Sequence, residues 1–382
     1  MTLAACHNIA HLRAMAKARL PAAMFHYIDG GADDETTLRG NTSAFGAHAL
    51  IPHSLVDVSN IDTRITLLGQ TLNWPVILAP TGMSRLFHHE KELGVARAAA
   101  KSGTLYTLST LGTTSLEEVA AATDGPKMFQ IYILKDRGLT AEFVERCKAA
   151  KYNALCLTVD MPVAGNRERD KLTGMVMPPR FTASSLLSFA LHPRWSLNLL
   201  RDPNFQLANV AHRVDALGAG AMSVIDYINS QFDRTVTWAD VDWLAQQWGG
   251  PLVIKGITDA ADATKARDAG ASAIMISNHG GRQLDSSPAP VDCIAPMRDA
   301  IGHDLELIVD GGVRRGTHVL KALALGADAC SIGKAYLYGL AAGGQKGVEH
   351  ALTLLRSEIE RDLALLGCPR ITDINSRFLL SA

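Results

Sequence analysis

The sequence predicts an α/β fold, a (β/α)8 TIM barrel with an N-terminal helical cap and a long insertion after the fourth strand. Three observations lead there. Eight short apolar, β-rich runs recur along the chain. Most are separated by helical stretches with polar starts and glycine stops. The strand–helix–strand interval is roughly 20 to 35 residues, which argues for parallel strands, and eight such units close a barrel of typically ~250 residues.

In chain order the strands are "VILAP" (76–80), "LYTLS" (105–109), "MFQIYI" (128–133), "LCLTVD" (155–160), "LVIKG" (252–256), "AIMIS" (273–277), "LIVDGG" (307–312) and "CSIG" (330–333). Between them, "HHEKELGVARAAAKSG" stops at Gly103, "TDAADATKARDAG" starts on Thr258 or Asp259 and stops at Gly270, and "GTHVLKALALG" stops at Gly326. One interval breaks the rhythm. Residues 161–250 separate the fourth and fifth strands, and a gap that long signals a functional insertion or a lid. Residues 1–70 precede the barrel at 71–370 and are expected to form helices and a capping segment over one end. The opening "MTLAACHNIAHLRAMAKARLP" reads as an amphipathic helix, because His7, His11, Arg13 and Lys17 interrupt it as no signal peptide would allow. The whole chain, 1–382, is read as one domain.

The totals exclude several classes of function. With 37 basic against 38 acidic residues there is no broad basic surface, so no nucleic acid partner is expected. Six scattered cysteines form no CxxC pair, which points away from zinc or a disulfide framework and toward a reducing, cytoplasmic compartment. No apolar run reaches the ~20 residues needed to span a bilayer.

Barrel active sites form at the C-terminal ends of the strands, and here nearly every strand ends in polar chemistry. In order these ends carry Pro80-Thr81-Gly82, Ser109, Gln130 with Tyr132, Thr158 with Asp160, Lys255, Asn278 with His279, Asp310 and Gly333-Lys334. A lone buried lysine costs several kcal/mol. Lys255 therefore implies either a neighbouring carboxylate or a polar ligand shared by all eight strands. "DGGVRRGTH" after strand seven and "IGKAYLYG" after strand eight suit a phosphate, with glycine amides pointing at the anion and Arg314 and Lys334 adding charge. Neither GxGxxG after the first strand nor GxxxxGK[ST] occurs, which disfavours a nicotinamide site or a P-loop. His279 would be a base oriented by Asp160. Gly280 and Gly281 would turn Arg282 into the same cavity, and Arg167 in "NRERD" would supply a second guanidinium. Two arginines and a histidine suit a small acid oxidised or deprotonated at the neighbouring carbon.

The segments "SNHGGRQLD", "DGGVRRG", "LTVD", "FQIY", "APTG" and "IKG" resemble the FMN-dependent L-2-hydroxy acid dehydrogenase and oxidase family. That family includes glycolate oxidase, flavocytochrome b2, bacterial L-lactate dehydrogenase and (S)-mandelate dehydrogenase. The likeness runs from "MFHYIDGGADDETTLRGN" to "LGCPRITDI". It implies FMN as cofactor and oxidation of an L-2-hydroxy acid to the 2-oxo acid, with L-lactate the first choice of substrate and mandelate the second. His279 would be the base and Asp160 would stabilise its imidazolium. Arg282, Arg167 and Tyr27 would hold the substrate carboxylate, and Tyr132 the hydroxyl. Lys255 would sit near the flavin ring. Ser109, Gln130 and Thr158 would bond its pyrimidine side, with Ala79, Pro80, Thr81 and Ser277 also against the cofactor. Asp310 would take the ribityl hydroxyls, and Gly312, Arg314, Gly333 and Lys334 the phosphate. The resemblance also implies a homotetramer.

Departures from the family pattern carry information. Lys334 stands where the family usually has arginine, which keeps the charge and loses the bidentate fork. Gly82, Leu111 and Ala164 are smaller than their glycolate oxidase counterparts, so the space for a substrate side chain is expected to be larger. Within the insertion, residues 171–210 mix Phe181, Leu186, Leu187, Phe189, Leu191, Trp195, Leu197, Leu199 and Leu200 with Arg180, His192, Arg194 and Arg201. Two readings stay open: a segment lying in the membrane boundary, on the inner face of the cell membrane, or a lid or subunit contact. The first favours a quinone as electron acceptor and the second leaves O2, while a separate cytochrome is a third acceptor. A barrel acting as a lyase or isomerase on a phosphorylated metabolite is the main rival.

Overall fold

The computed structural model describes residues 2–175, 181–202, 205–215 and 230–380. Eight parallel strands close a barrel: β1 Val76–Leu78, β2 Tyr106–Ser109, β3 Lys127–Ile131, β4 Ala154–Thr158, β5 Leu252–Ile257, β6 Ala273–Ser277, β7 Glu306–Asp310 and β8 Ala329–Ile332, with β8 hydrogen-bonded to both β1 and β7. Each sequence-read strand lies within two residues of its place. Most of the excess is at C-terminal ends, where the chain leaves the ladder and turns polar side chains toward the barrel mouth. Register then sets neighbours side by side. Ser109 pairs with Gln130, Thr158 with Lys255, and Ser277 with Asp310.

Helix boundaries follow local chemistry. Helix Lys91–Ser102 stops at Gly103, which takes φ 67° in the left-handed region that favours glycine. Helix Ala260–Asp268 begins after Asp259, whose carboxylate accepts from the amides of Ala261 and Asp262. The N-terminal helix Ile9–Arg19 buries Ile9, Leu12, Met15 and Ala16, one face at helical spacing. It packs against the long C-terminal helix Lys334–Leu366, which is broken at Gly343–Gly344.

The N-terminal segment does more than the expected capping of one end. A hairpin, Ile65–Leu67 with Gln70–Leu72, buries Leu67, Leu68 and Leu72 against Ile77, Leu105, Met128 and Ala273 near the strand starts, so it plugs the N-terminal end. The Leu68 amide donates to the Glu306 carboxylate at the start of β7. Helices Ala22–Asp29 and Thr36–Ser43 instead reach the opposite mouth, where Tyr27, Leu38 and Asn41 line the main cavity. The capping expectation is therefore corrected: one segment closes both ends, because the hairpin is apolar on the face it buries.

The insertion is also shorter than 161–250. Helix Trp238–Trp248 is the ordinary helix leading into β5. Short helices Glu168–Thr173, Ala183–Ala190, Pro193–Arg201 and Ala211–Asp215 belong to the insertion proper. Residues 176–180, with Arg180 of the apolar segment, and 203–204 and 216–229 lie outside the described residues.

Gly312 ties the cap to the barrel. Its φ is 77°, and a Cβ there would stand 1.8 Å from the Asn41 carbonyl oxygen. Gly312→Ala should therefore cost about 2–4 kcal/mol, combining left-handed strain with overpacking. Gly249→Ala, in the left-handed region at φ 69° and ψ 12° with nothing within 4 Å, should cost only about 1–2 kcal/mol. Urea denaturation midpoints of the two variants check this difference.

Candidate active site

A cavity of ≈ 850 Å³ opens at the C-terminal ends of the strands. Its wall includes Tyr27, Ala79, Pro80, Thr81, Gly82, Ser109, Leu111, Gln130, Tyr132, Thr158, Arg167, Lys255, His279, Arg282, Asp310, Gly312, Arg314, Gly333 and Lys334. Two of the residues given a site role from the sequence are not on that wall. Asp160 and Ser277 stand behind it.

His279 is the second residue beyond β6, with φ 58°. Its Nδ1 is 3.0 Å from Asp160 Oδ1. An ionised carboxylate only accepts, so Nδ1 carries the proton and Nε2 keeps its lone pair for the cavity. Gly256 makes room for this pair: at φ 108°, its Cβ would lie 2.7 Å from the Asp160 side chain. Burial lowers the His279 pKa, and the charges of Lys255 and Arg282 push the same way against Asp160. Burial would raise the Asp160 carboxyl, but His279 and Lys255 hold it below the usual carboxylate value. An ionised carboxylate beside a neutral imidazole is a proton acceptor with its imidazolium already stabilised.

Lys255 answers both sequence readings at once. It is 3% exposed and lies on the cavity wall. Its Nζ is 3.4 Å from Asp310 Oδ2 and 3.9 Å from Asp160 Oδ2. Burial would depress its pKa, and the two carboxylates raise it instead, so the ammonium is kept. Ser277, expected against the cofactor, joins this network from behind. It lies 3.0 Å from Lys255 Nζ, donates to Asp310 and accepts from the His279 amide.

At the other side of the mouth, Arg282 and Arg167 place their guanidiniums 5.0 and 5.3 Å from the centre of the Tyr27 ring. Arg282 Nη1 donates to the Tyr27 carbonyl. Burial, with Arg167 alongside, lowers the Arg282 pKa to about 10. Two adjacent, partly buried guanidiniums are a receptor for a carboxylate. Asp170, which sequence reading did not single out, faces them. Arg167 Nη1 is 3.4 Å from its Oδ2, and burial raises its pKa against both arginines.

The FMN implied by the resemblance is tested by the remaining wall. Gln130 Oε1 accepts from Ser109, while Gln130 Nε2 is buried with no hydrogen-bond partner. A buried amide donor without a partner costs about 1–3 kcal/mol, and a heterocycle carbonyl would satisfy it. Thr158 lies in the same wall. Toward β8, a Cβ on Gly333 would meet only Ala79 and Thr81 at 3.6 Å and beyond, so the protein alone does not require glycine there. Beside it, Lys334 is half-buried, and desolvation together with Arg282 and Arg314 lowers its pKa well below the usual lysine value. A dianion there would relieve that repulsion. Lys334 Nζ also bonds the carbonyls of Asp29 and Gly30, at 3.1 and 3.0 Å, at the end of helix Ala22–Asp29. The residues present fit FMN, with an unpaired donor at one end of the cavity and excess cations at the other.

An apolar chamber adjoins Tyr132, whose hydroxyl donates to Met161 Sδ at 3.2 Å and whose ring meets Phe232 edge-on at 5.0 Å. Gly82 and Leu111 pack directly on each other in its wall: a Cβ on Gly82 would be 3.0 Å from Leu111 Cβ. Ala164 is also in the wall.

Sequence reading missed the braces. Gln283 donates to the carbonyls of Asp160 and Val163 and accepts from the Gly165 amide, holding that loop. Asp285 accepts from Thr36 and Thr37 at the start of helix Thr36–Ser43. Tyr336 donates to the Ala79 carbonyl and bonds Thr81. Gln283 and Asp285 sit in the quoted "SNHGGRQLD" and Tyr336 in "IGKAYLYG", so the signal was present in the motifs but their contacts were not. Asp160→Asn should lower kcat/KM by about 10²–10⁴-fold. Its acidic limb, already below that of an ordinary histidine, should move further down in pH, because Asp160 is the group that raises the imidazole pKa. Steady-state rates across the acidic range measure both effects.

Comparison with known proteins agrees with this geometry. An L-lactate oxidase of Nostoc sp. is 42% identical over 376 residues, covering 97% of both chains. An L-lactate dehydrogenase of Xanthomonas axonopodis pv. citri is 42% identical, covering 95% of this chain and 94% of the other. Among solved structures, the monotopic membrane protein (S)-mandelate dehydrogenase superposes with a TM-score of 0.95 at 36% identity, over 99% of this chain and 100% of that one. Mandelate oxidase with benzoyl-formic acid superposes with a TM-score of 0.83 at 34% identity, over 99% and 98%. The family described as FMN-dependent dehydrogenase matches residues 16–381, and the chain belongs to it.

Proposed function

We propose that this FMN-dependent 2-hydroxy acid oxidoreductase acts on L-lactate, converts it to pyruvate, and passes the electrons to a membrane quinone. The supporting observation is the convergence on one cavity of a neutral imidazole backed by a carboxylate, two partly buried guanidiniums, and a wall fitted to FMN. Arg282 and Arg167 bind the substrate carboxylate and fix the hydroxyl-bearing carbon. His279 Nε2 takes a proton from the substrate, and Asp160 stabilises the imidazolium that results. Tyr132, held protonated by burial and the nearby Asp160 charge, donates to the substrate oxygen. Lys255 supplies a fixed positive charge at the cavity floor. Ser109, Gln130, Thr158, Ala79, Pro80 and Thr81 would hold the ring of FMN, Asp310 its ribityl chain, and Gly312, Arg314, Gly333 and Lys334 its phosphate. When bound, FMN supplies a two-electron acceptor beside the substrate.

The chamber of Met161, Phe232, Gly82 and Leu111 favours an apolar side chain over none, and it supports (S)-mandelate as the second substrate. The quinone reading is supported by helices Ala183–Ala190 and Pro193–Arg201, which expose Leu187 at 61% and Leu200 at 73%. No helix among the described residues is long and apolar enough to cross a membrane, so such contact would be peripheral, and we place the protein at the inner face of the cell membrane. A homotetramer completes the reading, checked by light scattering of the purified holoenzyme.

The central test is anaerobic bleaching of the yellow holoenzyme by a panel of hydroxy acids, followed by a quinone analogue or air. L-lactate should bleach fastest and the quinone should restore colour. Protein that stays colourless after FMN reconstitution, or that neither acid bleaches, would overturn the assignment. His279→Gln should keep the yellow colour and lose about 10³-fold or more in kcat. Leu111→Trp should penalise mandelate over lactate by about 10–100-fold in kcat/KM, the range expected when a pocket is narrowed.

A further inference from the structure

A second cavity, of ≈ 110 Å³, lies behind Phe87, a residue that also lines the main cavity. It is bounded by Arg19 and Leu20 at the end of helix Ile9–Arg19, by Phe87 and His88, and by Arg194, Trp195 and Asn198 of helix Pro193–Arg201. Its volume admits a small anion and is far too small for a flavin. Among the described residues, no carboxylate oxygen lies within 4.0 Å of Arg19, Arg194 or Arg201. The nearby acids are already engaged. Asp202 pairs with Lys91 at 2.5 Å and with Arg85 at 3.6 Å. Glu90 accepts from the Gln345 amide and faces His88 at 3.7 Å. Burial lowers the pKa of Arg19, and Arg194 lowers it further. Like charges are thus collected around a hole that holds no counter-charge.

The surroundings are built rather than loose. Trp195 stacks on Phe189 with ring centres 5.2 Å apart, and its Nε1 donates to the Leu86 carbonyl at 2.7 Å. Arg85, 2% exposed, donates to the carbonyls of Asn198 and Leu199 at the end of helix Pro193–Arg201. His89 Nδ1 is 2.5 Å from Asn198 Oδ1. The helix pair so anchored turns Leu186, Leu187, Leu191, Leu197 and Leu200 outward, each at least 58% exposed. An apolar surface of that kind, next to unpaired guanidiniums, matches a lipid in both of its parts.

We propose that this cavity receives the phosphate of an anionic phospholipid headgroup, whose acyl chains lie against the exposed leucines. Arg19 and Arg194 grip the phosphate oxygens through paired N–H donors, as planar guanidiniums do. The proposal rests on the membrane-contact reading above and adds a headgroup preference to it. Charge complementarity selects this occupant. A second copy of the chain, with the same unpaired cations, would repel across the face.

The test is cosedimentation of the FMN-loaded holoenzyme with phosphatidylcholine vesicles, with or without phosphatidylglycerol. Wild type should bind the mixed vesicles more tightly, and Arg19→Gln/Arg194→Gln should lose about 25-fold of that affinity, about 5-fold for each basic residue at an anionic surface. Arg19→Lys/Arg194→Lys, which keeps the charge, should recover only part of the loss if the cavity reads the phosphate bidentately. Full recovery would reduce the site to a diffuse field and overturn the proposal. Leu187→Ser/Leu200→Ser should weaken binding to both vesicle types. Equal binding of wild type to the two vesicle types would overturn the headgroup site while leaving membrane contact standing. Binding to neither would overturn the membrane reading itself. Arginine-dependent, saturable uptake of inorganic phosphate by lipid-free protein, without lipid preference, would assign the cavity to the free ion. A change of oligomeric mass in the leucine variant, with lipid binding intact, would make the face a subunit contact. Neither Arg19 nor Arg194 lines the main cavity, so unchanged lactate turnover with a soluble dye shows that each variant is folded.

Discussion

Lys255 is buried in the barrel with its ammonium between two carboxylates, 3.4 Å from Asp310 and 3.9 Å from Asp160. Removing either acid would strand a charge in a region of low dielectric, where an uncompensated ion is costly. The same two carboxylates organise everything beside them. Asp160 turns its other oxygen to His279 and so selects the imidazole tautomer. Asp310 accepts from Ser277, which in turn accepts from the His279 amide. One compensated charge therefore positions the base and sets the electrostatics of the cavity floor.

Close approach of backbone explains how the rest of the chain reaches that floor. Gly256 lets Asp160 fold back over β5, Gly281 lets Leu38 lie against the β6 turn, and Gly312 lets the Asn41 carbonyl meet the β7 loop. All three have positive φ. The polar residues of 277–285 then divide their work: Asn278 exchanges amide hydrogen bonds with Asn41, His279 faces the cavity, Arg282 lies over Tyr27, Gln283 braces residues 160–165, and Asp285 caps helix Thr36–Ser43. A nine-residue stretch thus joins base, guanidinium, loop and cap into one rigid unit, which is what orienting a small substrate demands.

The insertion follows a different physics. Its helices are anchored by a buried arginine and an indole, yet they leave their leucines to the outside. A surface of that kind gains nothing in water alone, and its cost is recovered only against another apolar phase.

Much of this was legible in the one-dimensional chain. Barrel strands are buried on both sides, so each shows up as a local apolar run, and helix ends are marked by Asp259 or Gly103 within a residue or two. The polar residues at the strand ends could be named because closed barrels place chemistry there. Contacts between distant segments were another matter. His279 and Asp160 are 119 positions apart, and their meeting depends on the register of β4 through β6 and on the missing Cβ of Gly256. Hidden for the same reason were the withdrawal of Ser277 behind the wall, the position of Asp170 before the guanidiniums, and the plugging of both barrel ends by one N-terminal segment. Local hydrophobicity and turn chemistry are written residue by residue, whereas compensation of buried charge and close backbone approach exist only once the ring has closed.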